Sequence, residues 1–295
     1  MKYRTAGAFR QAVEERLRQR SIGNNQALTR LRKMVVFDRF LARLAKSNPE
    51  AWVIKGGFAL QLRLAERART TKDIDIAVTK DWTLEEVATR LRQAARLDLR
   101  DWFEFEVSEP IAAATGAPRG GLRFSVRSLL DGRQFETFHV DVGQGDPMLD
   151  PPERISVPNL LDFADIRPAT VRCYPLTAQV AEKLHAYTRA YSGGATSRAR
   201  DLTDILLAAS ITSFSSSRLT RAIHATFQAR ATHEVPEKLP GPPARLSASY
   251  RKLARELDLA WPTINEAGLA AARFLTPVLQ GSAARKWDPV AWKWS

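Results

Sequence analysis

Two aspartates flanking one isoleucine, Asp73-Ile74-Asp75, are the residues here whose type and spacing most directly suggest chemistry. In an extended strand successive side chains alternate faces, so Asp73 and Asp75 share one face while Ile74, Ile76 and Val78 share the other. Two carboxylates that close repel unless a cation lies between them, and hard oxygen ligands suit magnesium. A half-exposed strand with two solvated acids explains the same pattern without a cation. Upstream, Lys55-Gly56-Gly57 closes the apolar run "WVI" and opens "FALQLRLAE". Glycines at such a turn let the backbone approach a phosphate, and the free N–H groups of a helix start face the anion. The same turn also suits a chain that needs glycine for geometry alone.

Two metal ions held about 3.5–4 Å apart for in-line displacement require a third acid. The stretch "ETFHVDV" offers Asp141, with Thr137 and His139 on its face and Phe138, Val140 and Val142 on the other. Asp141 joins the pair only if this strand neighbours residues 73–78; otherwise it is an exposed strand acid. His139 reads as a satisfied polar residue. Further on, Lys183 lies beside the helical stripe Val180, Leu184 and Tyr187, and Asp201 borders the stripe Leu202, Ile205, Leu206 and Ala209. Asp204 is expected to point further outward. Lys183 and Asp201 could reach a shared cleft, or form a plain interhelical salt bridge. Arg198 and Arg200 suit phosphate contacts or a solvated helix start. His185 reads as an interior hydrogen-bonding residue, and the tryptophans of "KWDPVAWKWS" as a tail packed back onto the body.

The elements that must position these residues are legible in outline. Residues 7–47 read as two helices, followed by strands in "WVIKG", "DIDIAV", "WFEFEVS", "GLRFSVRSLL" and "QFETFHVDVG". The helix "TLEEVATRLRQAARL" sits between the second and third, with Thr83 and Glu86 spaced as a capping box. Later segments are helical, with a Pro-rich loop at "HEVPEKLPGPPARL". The expectation is an α+β chain: residues 1–165 hold N-terminal helices and a small mixed sheet, and residues 166–295 form a helical lobe. The 295 residues include 45 Lys and Arg against 32 Asp and Glu, a net charge of +13 that attracts polyanions such as nucleic acid. A single cysteine, Cys173, excludes an intrachain disulfide, and no apolar run is long enough to cross a membrane. The N-terminus does not read as a signal peptide, which makes a cytoplasmic protein the natural expectation.

In this order, "VIKGGFALQLR", "RARTTKDIDI", "QVAEKLHAYT" and "RARDLTDILLA" resemble the AbiEii/AbiGii toxin family, which includes the MenT toxins. That family falls within the nucleotidyltransferase superfamily of DNA polymerase beta, and the resemblance spans roughly residues 50–210. It implies magnesium-dependent transfer of a nucleoside monophosphate from a nucleoside triphosphate to RNA, at the tRNA 3′ end, blocking translation. It also implies a cognate antitoxin. Gly56 and Gly57 would cradle the triphosphate, with Lys55, Arg69 and Thr71 nearby, and Asp73 and Asp75 would hold magnesium. Lys183 would contact phosphates or assist the attacking hydroxyl, and Asp201 is the matching acid of the last motif. Whether Asp141, Asp201 or neither completes the metal site stays open, as does the base, with a pyrimidine among the candidates. Phosphate on Thr71 would repel the incoming nucleotide and act as an off switch. A small-molecule, antibiotic-modifying nucleotidyltransferase and a non-catalytic RNA-binding protein on a transferase fold are the alternatives. The +13 charge argues against the first, and the intact set of motif residues against the second.

Overall fold

Alternating apolar and polar residues lay out a sheet whose two faces differ sharply. The computed structural model describes residues 2–22, 25–64, 71–112, 116–190 and 197–295. Helices α1 (Ala6–Arg20) and α2 (Asn25–Ser47) lead into β1 (Trp52–Lys55), α3 (Gly56–Leu64), β2 (Asp73–Val78) and α4 (Leu84–Ala95). Then come β3 (Phe103–Val107), β4 (Ile111–Ala112), β5 (Gly121–Leu130), β6 (Arg133–Gln144), β7 (Glu153–Ser156) and β8 (Thr170–Cys173). The strands form one mixed sheet in the order β3-β5-β6-β2-β1-β8-β7, with β4 on β5. β2 runs parallel to β6 and β1 parallel to β8, while β1–β2 and β5–β6 are antiparallel.

Ile74 and Ile76 of β2, Phe138 and Val140 of β6, and Phe124 and Val126 of β5 are all buried. α2 lays Phe37 and Phe40 over them, with ring centroids 5.1 and 5.5 Å from Phe138. Edge-to-face pairs of this kind add about 0.5–1.5 kcal/mol each beyond the area they bury. The Thr83–Glu86 capping box forms and starts α4. This packing fixes which way each strand faces, so the residues between the apolar positions share the opposite face.

β4, β7 and β8 extend the sheet beyond the five strands read from sequence. β8 is a four-residue strand lying past residue 165, yet it pairs with β1. Its parallel pairing joins segments far apart in sequence, which no local pattern reports.

The chain divides into two units, and the second runs from Tyr174 to Ser295 and takes in Asp146–Pro152. It contains α5 (Leu176–Thr188), α6 (Arg198–Ile211), α7 (Ser216–Arg230), α8 (Ser247–Glu256) and α9 (Ile264–Leu279). A terminal hairpin of β9 (Trp287–Asp288) and β10 (Lys293–Trp294) closes the chain. Trp287 is fully buried and donates from its indole to the Ala209 carbonyl at 2.8 Å. Trp292 and Trp294 donate to the carbonyls of Ala270 and Phe274. The tail is therefore packed onto its own unit, as its aromatic content predicts. Among the described residues no helix is long and apolar enough to cross a membrane.

Candidate active site

Strand register turns the Asp-Ile-Asp spacing into a two-dimensional array. Asp75 lies directly across from Asp141 on one side and Lys55 on the other, and Asp141 in turn lies across from Arg123. Four neighbouring strands thus carry the row Arg123–Asp141–Asp75–Lys55. One step along the strands, a second row reads Ser125–His139–Asp73. Asp141 therefore does neighbour the aspartate pair, the condition on which its inclusion depends.

The side chains in these rows are tied together. Arg123 donates from Nε to Asp141 Oδ1 at 2.8 Å and from Nη2 to Oδ2 at 2.7 Å. Its Nη2 also lies 3.8 Å from Asp73 Oδ2, and His139 Nδ1 lies 3.4 Å from Asp73 Oδ1. The Asp141 hydrogen bonds, together with the charges of Asp141, Asp73 and Asp75, raise the Arg123 pKa above its already high ordinary value. Among the described residues no three His, Cys, Asp or Glu side chains converge as a metal-ligand group. The hard oxygens of Asp73 and Asp75, on one strand face, are the donor set that fits a divalent cation. The carboxylate of Asp141 accepts a fork of two charge-assisted bonds from Arg123.

Gly56 opens α3 with φ of +63°, and a Cβ placed there would stand 2.0 Å from Asp75 Oδ2. Only glycine lets the β1–α3 turn approach the carboxylate so closely. Lys55, Gly57 and Thr71 are buried around the same strand ends. Thr71 is 7% exposed and its hydroxyl donates to the Asp73 carbonyl at 3.1 Å, so a phosphate there would have to break that bond. Arg69 lies outside the described residues.

The second unit holds its own ionic group. Lys183 of α5 lies 3.2 Å from Asp201 and 2.8 Å from Asp204, both on α6. Arg198 reaches Asp201 at 2.7 Å, while Arg200 is exposed. The outward placement expected for Asp204 is wrong: its side chain is fully buried, more so than that of Asp201. The helical stripe is wide enough to include position 204, and an ammonium between two acids offsets the cost of burying them. His185 is buried as expected, bonded through Nε2 to the Thr232 hydroxyl at 2.8 Å.

Comparison with known proteins decides the family. The model of the AbiEii nucleotidyl transferase toxin of type IV toxin–antitoxin systems matches residues 39–275. The chain belongs to the AbiEii family. It is a nucleotidyltransferase toxin with a nucleoside triphosphate as substrate, and a toxin of such a system implies a cognate antitoxin. The solved structure of MenT4, a nucleotidyltransferase toxin from Mycobacterium tuberculosis H37Rv, superposes with a TM-score of 0.58 at 19% identity. That match covers 91% of this chain and 98% of MenT4. An antigenic nucleotidyltransferase-like protein from Paracoccidioides brasiliensis matches with a TM-score of 0.41 at 16% identity, covering 68% of this chain and 92% of that one. Among curated proteins, none matches the sequence. The superposition agrees with the mixed α/β fold of this AbiEii member.

Arg123 is the residue of this face that sequence reasoning missed. It sits in "GLRFSVRSLL" as one basic residue among several, and only the β5–β6 register brings it to Asp141.

Proposed function

We propose that this AbiEii protein transfers a nucleoside monophosphate from a nucleoside triphosphate to the 3′-terminal hydroxyl of an RNA, a tRNA in the cell, and so blocks translation. The observation that carries the reading is Gly56, whose backbone meets the Asp75 carboxylate with no room for a side chain. That contact brings the N-terminus of α3 beside the aspartate pair. Gly56 and Gly57 offer backbone N–H groups to the β- and γ-phosphates, and Lys55 adds a positive charge at the end of β1. Asp73 and Asp75 would hold magnesium. When bound, the ion neutralises the phosphate charge that builds up during transfer.

The acceptor oxygen attacks the α-phosphorus, the bond from phosphorus to the bridging β-oxygen breaks, and pyrophosphate leaves. A carboxylate of this face takes the proton lost from the hydroxyl. Within its own unit Lys183 is held by Asp201 and Asp204, and the family resemblance gives it a nucleotide-phosphate role. The net charge of +13 favours a large polyanionic acceptor over a small molecule.

The test incubates the protein with total RNA or an aminoglycoside and each labelled triphosphate, with and without magnesium. Label should enter RNA only with magnesium, and Asp73→Ala or Asp75→Ala should abolish incorporation while leaving the thermal transition intact. Transfer retained by both variants rules out the metal assignment. Label in the drug and none in RNA rules out the acceptor.

A further inference from the structure

We infer that Arg123, held in place by Asp141, is the phosphate grip for the acceptor strand, and that Asp141 is its strut rather than a metal ligand. The inference rests on the proposed RNA acceptor and assigns it a contact.

The order of strands carries the argument. Asp75 lies between β1, whose end turns into α3 at Gly56, and β6, which bears Asp141. A triphosphate cradled at the Gly-Gly turn places its leaving pyrophosphate on the β1 side. In-line displacement sets the attacking oxygen opposite the leaving oxygen, so the acceptor enters over β6 and β5. The cation waiting on that side is Arg123.

Its geometry suits the task. A guanidinium has five N–H groups in a fixed fork. Arg123 commits one from Nε and one from Nη2 to Asp141, which orients the plane. Among the described residues Nη1 has no hydrogen-bond partner, and the side chain is 41% exposed. Nη2, which carries a second N–H, lies 3.8 Å from Asp73 Oδ2, on the side from which the acceptor hydroxyl comes in this reading. A phosphodiester one step back from a 3′-terminal hydroxyl is the group such a guanidinium recognises, since planar paired donors match phosphate oxygens. Both Asp141 oxygens accept from Arg123, and these bonds compete with any metal for the same lone pairs.

The experiment compares wild type, Arg123→Ala, Arg123→Lys and Asp141→Asn, each first checked for a native thermal transition. Three quantities are read: KM for RNA and for the triphosphate separately, the salt dependence of RNA binding, and Mn2+ affinity by electron paramagnetic resonance without RNA. Arg123→Ala should raise the RNA KM about tenfold, the size of one lost charge-assisted contact. Its plot of log binding constant against log salt should be shallower by about one. The triphosphate KM and the Mn2+ affinity should stay within about twofold. Arg123→Lys should recover part of the RNA affinity, and Asp141→Asn should weaken RNA binding while leaving Mn2+ binding unchanged. A tenfold loss of Mn2+ affinity in Asp141→Asn overturns the strut role. A raised triphosphate KM with unchanged RNA KM in Arg123→Ala overturns the acceptor role. If wild type transfers nucleotide to no RNA, the acceptor reading fails and this inference with it. Normal wild-type transfer with an unaltered Arg123→Ala leaves that reading standing and sinks this one alone.

Discussion

Gly56→Ala isolates the contact between the phosphate cradle and the metal pair. The backbone at Gly56 has φ of +63°, which costs an alanine about 1–2 kcal/mol. The new methyl would also stand 2.0 Å from Asp75 Oδ2, 2.7 Å from its Cγ and 3.0 Å from its Cβ. An ordinary contact is about 3.5 Å, so the carboxylate or the turn must move by more than 1 Å. Asp75 has little freedom to yield, because Lys55 and Asp141 flank it in register on both sides. A misplacement of about 1 Å at a reacting centre costs on the order of a hundredfold in rate, or about 2.7 kcal/mol of barrier.

Gly132 supplies the internal control. It has φ of +64° in the β5–β6 turn, and a Cβ there meets nothing within 4 Å. Gly132→Ala therefore bears the same backbone cost without the collision. Urea denaturation should show both variants destabilised by about 1–2 kcal/mol, with Gly56→Ala the worse. Steady-state pyrophosphate release should fall about a hundredfold in Gly56→Ala alone. A Gly56→Ala protein that keeps a third of wild-type kcat refutes the idea that this close approach positions Asp75.

The first unit rests on a buried ion pair: Arg43, 1% exposed, donates to both Asp101 oxygens at 3.0 and 2.8 Å. Asp101→Ala leaves that guanidinium unpaired and should cost about 3–5 kcal/mol in urea denaturation, a loss under 1 kcal/mol being contrary to this account. In the second unit, burial and then the charges of Arg230, His233 and Arg189 lower the His185 pKa from 6.5 to about 4. The unfolded chain then binds the proton first, so stability is full above pH 6.5 and falls as pH drops towards 4. The loss has an upper limit of about 3 kcal/mol. Denaturation of wild type and His185→Gln between pH 7 and 4 should show a shallower acid slope in the variant, and parallel slopes would contradict the assignment.

How much was legible in the sequence depended on whether a feature was local. Strand parity put Asp73 and Asp75 on one face and Ile74 and Ile76 beneath, and the buried isoleucines bear this out. The capping box at Thr83 and the glycine-initiated helix α3 are equally local and equally visible. Register is not local. That Asp141 meets Asp75, and that Arg123 then meets Asp141, depends on which strands are neighbours and by how many residues they slide. A slip of one residue would send Arg123 to the apolar face. Asp204 failed for a related reason. Its burial depends on Lys183 arriving from another helix, and a charged residue next to a helical stripe reads as exposed until its partner is known.

The charge of the outer face supports one further expectation. Asp73, Asp75 and Asp141 contribute three negative charges and Arg123 and Lys55 two positive ones, so these five residues sum to −1. Within the row each acid has a base beside it, Arg123 for Asp141 and Lys55 for Asp75. The excess falls on Asp73, which faces His139 at 3.4 Å and Arg123 only at 3.8 Å. A divalent cation on the pair would bring the sum to +1, so the face repels a triphosphate when bare and attracts it when loaded. Asp73→Asn removes the excess without metal. In EDTA it should therefore bind a fluorescent nucleoside triphosphate more tightly than wild type, while losing turnover in magnesium. One charge at about 4 Å is worth about 1 kcal/mol when fully screened by bulk water, which sets a lower bound of roughly a fivefold change in affinity. Equal or weaker binding by Asp73→Asn in EDTA would show that Asp73 does not carry the charge that metal must reverse.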